Sequence, residues 1–254
     1  MQAAEAFARF DVALVRAANP GPLTLTGTNT WLIGRDPAWA IDPGPALREH
    51  AEAVAQEARR RGGLGGIALT HGHADHAEGL ESLRALTGEP PVAEVADGER
   101  FGPLEAVATP GHAPDHVAFV SGAVCFTGDA VLGEGSVFIA PDPGALAGYL
   151  EALRGLRRRP LELLCPGHGP PVTDPATKLD EYVAHRLERE RRLVAALGAG
   201  TRRVEDLLDA AWDDVPAALR GAAAVTLAAH LDKLEGEGRL PPGVQRPQLG
   251  RLGQ

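Results

Sequence analysis

The 254-residue chain has few cysteines, few aromatic residues and no long apolar run. Its two cysteines cannot build a disulfide framework or a four-thiolate zinc site. No segment approaches the roughly 20 apolar residues of a membrane helix, and the N-terminal segment carries acidic residues where a secretory signal is basic and then apolar. We therefore expect a soluble, cytoplasmic protein with no membrane partner. Cys125 and Cys165 lie within apolar runs, so we expect buried, inert thiols.

Positive charge is also scarce, because 25 lysines and arginines face 34 aspartates and glutamates, for a formal net charge of -9. This balance argues against a broad phosphate-binding surface, although a local one stays compatible with it. The hydrophobic fraction of 44% is sufficient for a buried core. The length suits one large domain or two small ones.

Before about residue 170, short apolar segments alternate with turns rich in glycine and proline. Strands are predicted at 11–16, 28–33, 38–41, 67–70, 104–109, 117–120, 123–127 and 161–165. Apolar residues at helical spacing predict helices at 45–61, 80–86 and 146–156. The succession of early strands suggests that the sheet begins antiparallel.

After residue 173 the pattern is helical. One long helix is predicted from the Asp174 cap and Pro175 to Gly198. Helices at 201–211, 216–221 and 222–235 and a short hairpin or wing at 236–248 are expected to follow. The pattern thus predicts a main domain at 1–174 and a small helical domain at 175–254.

The small predicted domain holds twelve basic and twelve acidic residues, so its formal net charge is zero. Domains that bind a nucleic-acid groove are normally basic. We therefore expect a cap over the active site or a homodimer surface before a nucleic-acid module.

The segment THGHADH follows predicted strand 67–70 and contains His71, His73, Asp75 and His76. Side chains at i and i+2 of an extended segment point the same way, so the first two histidines can bind one cation. The turn carries the other two side chains towards a neighbouring position. Three later strands also end in a glycine-containing turn with a ligand-type residue: His112, Asp129 and His168. The pattern predicts that all seven residues meet at one site with room for two metal ions.

The HGHADH motif resembles the HxHxDH signature of the metallo-β-lactamase superfamily, and the three later residues follow in the family's order. The resemblance implies an α/β fold, the αββα sandwich, and a hydrolase with two Zn²⁺ ions and a bridging hydroxide. It assigns one zinc to His71, His73 and His112, the other to Asp75, His76 and His168, and both to Asp129. Antibiotic-hydrolysing members carry a cysteine near the Asp129 position, so the aspartate favours other hydrolase and phosphodiesterase branches.

Further segments resemble the β-lactamase-like protein 2 group, which joins this domain to a small winged-helix-like domain and includes single-strand RNA endonucleases. They are TGTNTWLIG, AIDPGP, TPGHAPDHVAF, FTGDAVLGEGSVFIA, CPGHGP and AAHLDKLEGEGRL. The leading expectation is therefore an endoribonuclease that acts on single-stranded RNA. One alternative is hydrolysis of a small carbonyl substrate, a thioester or lactone, of the glyoxalase II or acyl-carrier thioesterase type. The other is a metal-stabilised DNA-binding protein.

Other residues near the motifs have two interpretations each. His116 is a candidate proton donor to a leaving group, and a hydrogen-bonded structural histidine is the alternative. Asp115 is expected to accept a hydrogen bond from a metal-bound imidazole. Asp42 is a turn former or orients a zinc ligand. Asp75 and Asp129 are expected to act in catalysis as well as in metal binding.

Overall fold

In a computed structural model that describes residues 2–248, the strands form two sheets, each with its strands in chain order. The first sheet comprises β1 (Val12–Arg16), β2 (Asn29–Ile33), β3 (Ala38–Ile41) and β4 (Leu64–Ala68). The second comprises β5 (Arg100–Phe101), β6 (Leu104–Ala108), β7 (Val117–Ser121), β8 (Val124–Gly128) and β9 (Leu163–Pro166). Both sheets begin antiparallel, as predicted, and end in a parallel pair, β3–β4 and β8–β9.

A crossover helix joins each parallel pair, since a tight hairpin cannot connect parallel strands. The helix α2 (Arg48–Arg60) connects β3 to β4, and α5 (Ala145–Arg157) connects β8 to β9. The strand β6 also runs in the direction of β8, because both are antiparallel to β7. The loops after the two strands of each parallel pair therefore leave from the same edge of their sheet.

The two sheets pack face to face, and helices cover their outer faces. Adjacent side chains of a strand point to opposite faces: Trp31 lies in the core between the sheets, whereas Leu32 packs beneath α2. Phe119 and Phe126 fill the same inter-sheet core. On the other outer face, α5 packs against the second sheet. This order of layers confirms the αββα sandwich.

Residues 2–248 contain six further α-helices and one 3₁₀ helix, Ala217–Leu219. The α-helices are α1 (Ala3–Phe10), α3 (Ala74–Ala77), α4 (Leu80–Thr87), α6 (Pro175–Gly198), α7 (Val204–Ala211) and α8 (Arg220–Gly236). The long helix α6 begins as expected, because the Asp174 carboxylate accepts a hydrogen bond from the backbone N–H of Thr177 and Pro175 occupies the first turn. Its first half packs on α5, and its second half shares a buried core with α7 and α8. The C-terminal helices therefore rest directly on the main sandwich.

Several local expectations differ from the structure. The strand β5 and the helix α3 were not predicted, and the helices expected at 216–221 and 222–235 are a 3₁₀ helix at Ala217–Leu219 and the single helix α8. The strand predicted at 67–70 is β4 at Leu64–Ala68, which includes Gly66. Glycine is unfavourable in strands, but it fits here because an added Cβ would lie 2.5 Å from the Phe101 ring. Residues 237–248 contain no strand, so the predicted hairpin is wrong; prolines without an N–H, such as Pro241 and Pro242, disfavour strand pairing there. The helix α1 was not predicted.

The burial of the two cysteines matches expectation. Cys125 and Cys165 are buried, and burial raises the pKa of the Cys125 thiol to about 12. Among the helices of residues 2–248, none combines the length and the apolar character needed to cross a membrane.

The C-terminal core gives a test of stability. Leu231 of α8 is fully buried among α6, α7 and α8, whereas Leu187 of α6 is 44% exposed. We expect Leu231→Ala to lower the free energy of unfolding by about 2–5 kcal/mol, because it leaves a cavity. The matched Leu187→Ala should change it by less than about 0.5 kcal/mol. Urea denaturation followed by circular dichroism measures both, and equal losses would contradict the placement of Leu231.

Candidate metal centre

The seven predicted ligand residues lie together at one edge of the two sheets. They occupy the segments that follow β4, β6, β8 and β9: His71, His73, Asp75, His76, His112, Asp129 and His168. Parallel strands end at the same edge, so residues far apart in the chain meet there. The structure thus brings together the whole set that the sequence singled out.

Main-chain hydrogen bonds tie these segments to one another across the two sheets. The N–H of Val117 donates to the carbonyl of Thr70 at 2.8 Å, and the N–H of Gly167 donates to Gly128 at 2.9 Å. The buried Asn29 side chain of β2 donates to the carbonyls of Pro166 and Gly169, on either side of the loop that carries His168. The site is therefore framed by both sheets.

Three imidazoles form one cluster. The Nδ1 atom of His73 lies 3.0 Å from Nε2 of His71 and 2.9 Å from Nε2 of His112. Burial lowers the pKa of His71, and it lowers the pKa of His112 to about 4, so both rings are neutral near pH 7. Neutral imidazole nitrogens that converge in this way are suited to bind one cation.

A second cluster lies beside the first. The Nε2 atom of His168 is 3.2 Å from Oδ2 of Asp75 and 3.3 Å from Nε2 of His76. Burial opposes the protonation of His168, but the carboxylates of Asp129 and Asp75 outweigh it and raise its pKa to about 10. An imidazole that binds a metal must be neutral, so a cation bound there displaces this proton.

The carboxylate of Asp129 faces both clusters. Its Oδ2 lies 3.5 Å from Nε2 of His112, and its Oδ1 lies 3.4 Å from Nε2 of His168 and 3.5 Å from Nε2 of His76. Although burial opposes its ionisation, the neighbouring imidazoles hold the pKa of Asp129 well below its usual range. The geometry is that of a carboxylate placed between two cation positions.

Asp42, which follows β3, orients two of the imidazoles. Its carboxylate is 2.9 Å from Nδ1 of His76 and accepts the hydroxyl hydrogen bond of Thr70 at 2.8 Å. Because that hydroxyl donates to Asp42, its oxygen accepts from Nδ1 of His71 at 3.0 Å. Both rings therefore carry a proton on Nδ1 and turn Nε2 into the cluster, the orientation that such acceptors give to metal-binding histidines.

The donor set fits divalent cations. Oδ1 of Asp129 is buried and has no hydrogen-bond partner among residues 2–248, a state that is costly for a carboxylate unless a cation satisfies it. The donors form three groups, and within each group the ligand atoms lie within 4.8 Å of one another: His71–His73–His112, His71–His76–Asp129 and Asp75–His76–His168. Imidazole and carboxylate ligands suit zinc, and they also suit iron.

The hydrogen bonds of His116 differ from those expected of a proton donor. Its Nε2 accepts the backbone N–H of Asp129 at 3.0 Å, so its proton is on Nδ1, which donates to Oγ1 of Thr109 at 2.7 Å. Burial lowers its pKa to about 3. Because both ring nitrogens are occupied, His116 has no proton for a leaving group, and the contact makes it a positioning residue for Asp129.

Asp115 is exposed, and no hydrogen bond of the described part of the chain joins it to an imidazole. Its expected role as an acceptor has no supporting contact. Sequence reasoning also missed Thr70, the residue just before the motif, whereas it expected the turn glycine Gly167 to let the backbone approach the metal site. A Cβ on Gly167 would lie 2.6 Å from Cε1 of His76 and 2.7 Å from Oδ1 of Asp129. For Thr70, its position next to a predicted ligand is the only signal that the sequence carries.

A cavity of about 460 Å³ opens from this site towards the C-terminal helices. His112 and Asp129 line it on the side of the clusters. Apolar side chains from the segment after β8 and from the C-terminal helices form much of its wall, among them Leu132, Val137, Phe138, Trp212, Leu219 and Ala223. The fold thus combines paired imidazole and carboxylate clusters with a pocket of small-molecule size.

An αββα sandwich with such a cluster at its sheet edge defines the class of metallo-β-lactamase-type hydrolases, and two family matches agree. Residues 40–131 match the beta-lactamase superfamily domain, and residues 204–240 match the beta-lactamase associated winged helix domain.

Relatives match most of the chain. A beta-lactamase-like protein 2 homolog of Caenorhabditis elegans is 30% identical over 88% of this chain and 83% of its own length. An atrochrysone carboxyl ACP thioesterase of Aspergillus chevalieri is 32% identical over 81% of this chain and 74% of its own. The lactamase-like protein nscB of Aspergillus fumigatus is 32% identical over 76% of this chain, which spans only 63% of that protein. The chain therefore belongs to the metallo-β-lactamase superfamily and is a hydrolase.

Solved structures agree on the fold. A beta-lactamase domain protein of Burkholderia ambifaria superposes with a TM-score of 0.72 at 21% identity, over 90% of this chain and 87% of that one. TTHA1623, solved in a di-iron-bound form, superposes with a TM-score of 0.52 at 28% identity, over 65% of this chain and 96% of that one. The fold therefore accommodates iron in at least one similar protein.

The contact of Asp42 with His76, and its link to His71 through the Thr70 hydroxyl, predict an effect on metal binding. An amide cannot supply the charge that holds both Nδ1 protons in place, so we expect Asp42→Asn to weaken metal binding about 10- to 100-fold. The exposed Asp115→Asn is the matched control and should leave the affinity unchanged. Competition with a chromophoric chelator measures both affinities, with thermal denaturation as a check of folding. Equal affinities in the Asp42 variant and the parent would contradict the orienting role.

Proposed function

We propose that the chain is a hydrolase with two metal ions, most simply zinc, that cleaves a small carbonyl substrate and above all a thioester. The observation that carries this proposal is the cavity from His112 and Asp129 to the C-terminal helices, whose wall is largely apolar. Such a pocket suits an acyl chain next to a carbonyl group. The similarity to the atrochrysone carboxyl ACP thioesterase of Aspergillus chevalieri adds support.

The ligand roles in this proposal follow the geometry of the clusters. One ion would be held by His71, His73 and His112, the second by Asp75, His76 and His168, and both by Asp129. When bound, such ions supply Lewis acidity and lower the pKa of water to about 7. Asp75 and Asp129 keep their charge, since the pKa of each is lowered, and so hold the imidazoles around them.

The leaving group also favours a thioester. A thiol with a pKa near 8.5 leaves readily as a thiolate, whereas an alkoxide released from RNA needs a proton donor. Both ring nitrogens of His116 are engaged in hydrogen bonds, so this residue does not provide that donor. Hydrolysis of a thioester therefore does not depend on a proton donor to the leaving group, whereas cleavage of RNA does.

Cleavage of single-stranded RNA is the second candidate. Its support is the similarity to beta-lactamase-like protein 2 homologs over most of the chain, winged helix included. Against it stand the net charge of -9 and the largely apolar wall of the cavity, since proteins that bind single strands use a positively charged groove with stacking aromatics. The hypothesis that the chain is a DNA-binding protein has less support, because α8 contributes Ala222, Ala223 and Thr226 to the cavity wall.

Parallel assays test the choice. We expect the metal-loaded protein to release thiol from an acyl thioester of N-acetylcysteamine and to leave a labelled single-stranded RNA intact. Asp129→Asn removes a ligand that both ions would share, so the variant should release thiol more than about 100-fold more slowly than the parent. A chelator should abolish thiol release by the parent. Cleavage of the RNA without any thiol release would reverse the order of the two candidates.

The cavity wall allows a second test. Ala222 of α8 lines the cavity, whereas Ala224, two residues later, does not. We expect Ala222→Phe to fill the pocket and raise the KM for a decanoyl thioester about tenfold, with little change for an acetyl thioester. Ala224→Phe should leave both values near those of the parent. Equal effects on long and short acyl chains would exclude this cavity as the acyl site.

A further inference from the structure

The wall of the cavity contains a buried arginine without a counter-charge. Arg186 of α6 lines the cavity and is only 2% exposed. Its Nη2 donates to the carbonyl of Val137, and its Nε has no hydrogen-bond partner. Among residues 2–248, no carboxylate oxygen lies within 4.0 Å of its guanidinium. A buried cation in this state is costly, because desolvation is not offset by a charge of opposite sign.

A neighbouring arginine shows the ordinary solution. Arg189, one turn further along α6, also lines the cavity and is buried. Its guanidinium is 2.7 Å from a carboxylate oxygen of Asp214 and also donates to the carbonyl of Ala211. Of two buried arginines in the same wall, Arg189 is therefore paired with a carboxylate and Arg186 is not.

The other groups around Arg186 do not pair with it: Glu134, Glu181 and Asp214 line the same cavity but form no ion pair with Arg186, and Asp214 pairs with Arg189. The Tyr149 ring lies beneath it, with 5.7 Å between Cζ and the ring centroid, and the Tyr149 hydroxyl donates to the carbonyl of Ala130. His185 next to it is neutral, because burial lowers its pKa to about 4. The cavity also contains His112 and Asp129 of the metal centre. An anion inside the cavity can thus meet Arg186 while another part of the same molecule meets the metal centre.

We propose that Arg186 binds an anionic group, a carboxylate or a phosphate, of the substrate that the cavity holds. A planar guanidinium binds both groups through paired hydrogen bonds. This inference rests on the proposed function and narrows it to thioesters that carry a negative charge. In their hydrolysis water adds to the carbonyl carbon and the C–S bond breaks, which yields a carboxylate, a thiol and one proton. The charge lies either on the acyl part, as a carboxylate, or on the thiol part, as a phosphate.

Two matched substrate pairs distinguish these sources. Glutaryl and pentanoyl thioesters of N-acetylcysteamine differ by one carboxylate on the acyl part. Pentanoyl thioesters of pantetheine 4'-phosphate and of pantetheine differ by one phosphate on the thiol part. We expect the metal-loaded parent to favour the charged member of one pair by about tenfold or more in kcat/KM. Arg186→Met should reduce this preference to less than about twofold and leave the uncharged substrate almost unaffected.

Two variants separate recognition from a structural role. Arg189→Met removes an arginine of the same wall that is already paired, and it should keep the preference for the charged substrate. Arg186→Lys keeps the charge without the planar fork, and it should keep part of the preference; it also serves if the methionine variant fails to fold. The inference is overturned if the parent has no preference, or if the preference survives in Arg186→Met.

A binding measurement makes the inference independent of catalysis. By calorimetry, the metal-loaded parent should bind glutarate more tightly than pentanoate, or pantetheine 4'-phosphate more tightly than pantetheine, by about tenfold. Arg186→Met should remove the difference. If this holds while no thioester is hydrolysed, the proposed function fails and the anion site stands. If all thioesters are hydrolysed alike and Arg186→Met changes no affinity, the function stands and the anion site fails.

Discussion

The carboxylate of Asp129 is a buried negative charge between two groups of imidazoles, and the rest of the site is arranged around it. Its two oxygens face different clusters, and its backbone N–H is fixed by His116. Burial alone would favour the protonated, neutral form of this carboxylate, so its ionised state depends on the histidines that surround it. The charge of Asp129 and the placement of His76, His112 and His168 therefore depend on each other.

This arrangement requires both sheets. Each sheet ends in a parallel pair, and the loops after those strands carry the charged and imidazole groups. The first sheet supplies Asp42 and the HGHADH segment, while the second supplies His112, Asp129 and His168. Main-chain bonds such as that from Val117 to Thr70 hold the two sets in register. The inter-sheet core around Trp31 and Phe126 thus positions the site as well as stabilising the fold.

The C-terminal helices convert a sheet-edge site into a pocket. The helix α6 reaches from the sandwich to α7 and α8, and all three regions contribute side chains to the cavity wall. The balance of charge in this segment agrees with a cap over the active site. In our proposal the apolar wall and the uncompensated Arg186 give the hydrolase its selectivity, because they contact the parts of the substrate that lie beyond the group that is cleaved.

The sequence by itself determined the seven residues at the site and the cap of α6, because strand ends, turn glycines and ligand spacing are encoded by neighbours along the chain; the layer order was implied only by the resemblance to the metallo-β-lactamase superfamily. It did not reveal that β4 includes two glycines, since their tolerance depends on the rings of Phe101 and Trp39. Only the tertiary structure decided that His116 supports Asp129 and that Arg186, unlike Arg189, lacks a counter-charge. Those properties depend on contacts such as that of Arg186 with Val137, 49 residues away, and local sequence carries no record of them.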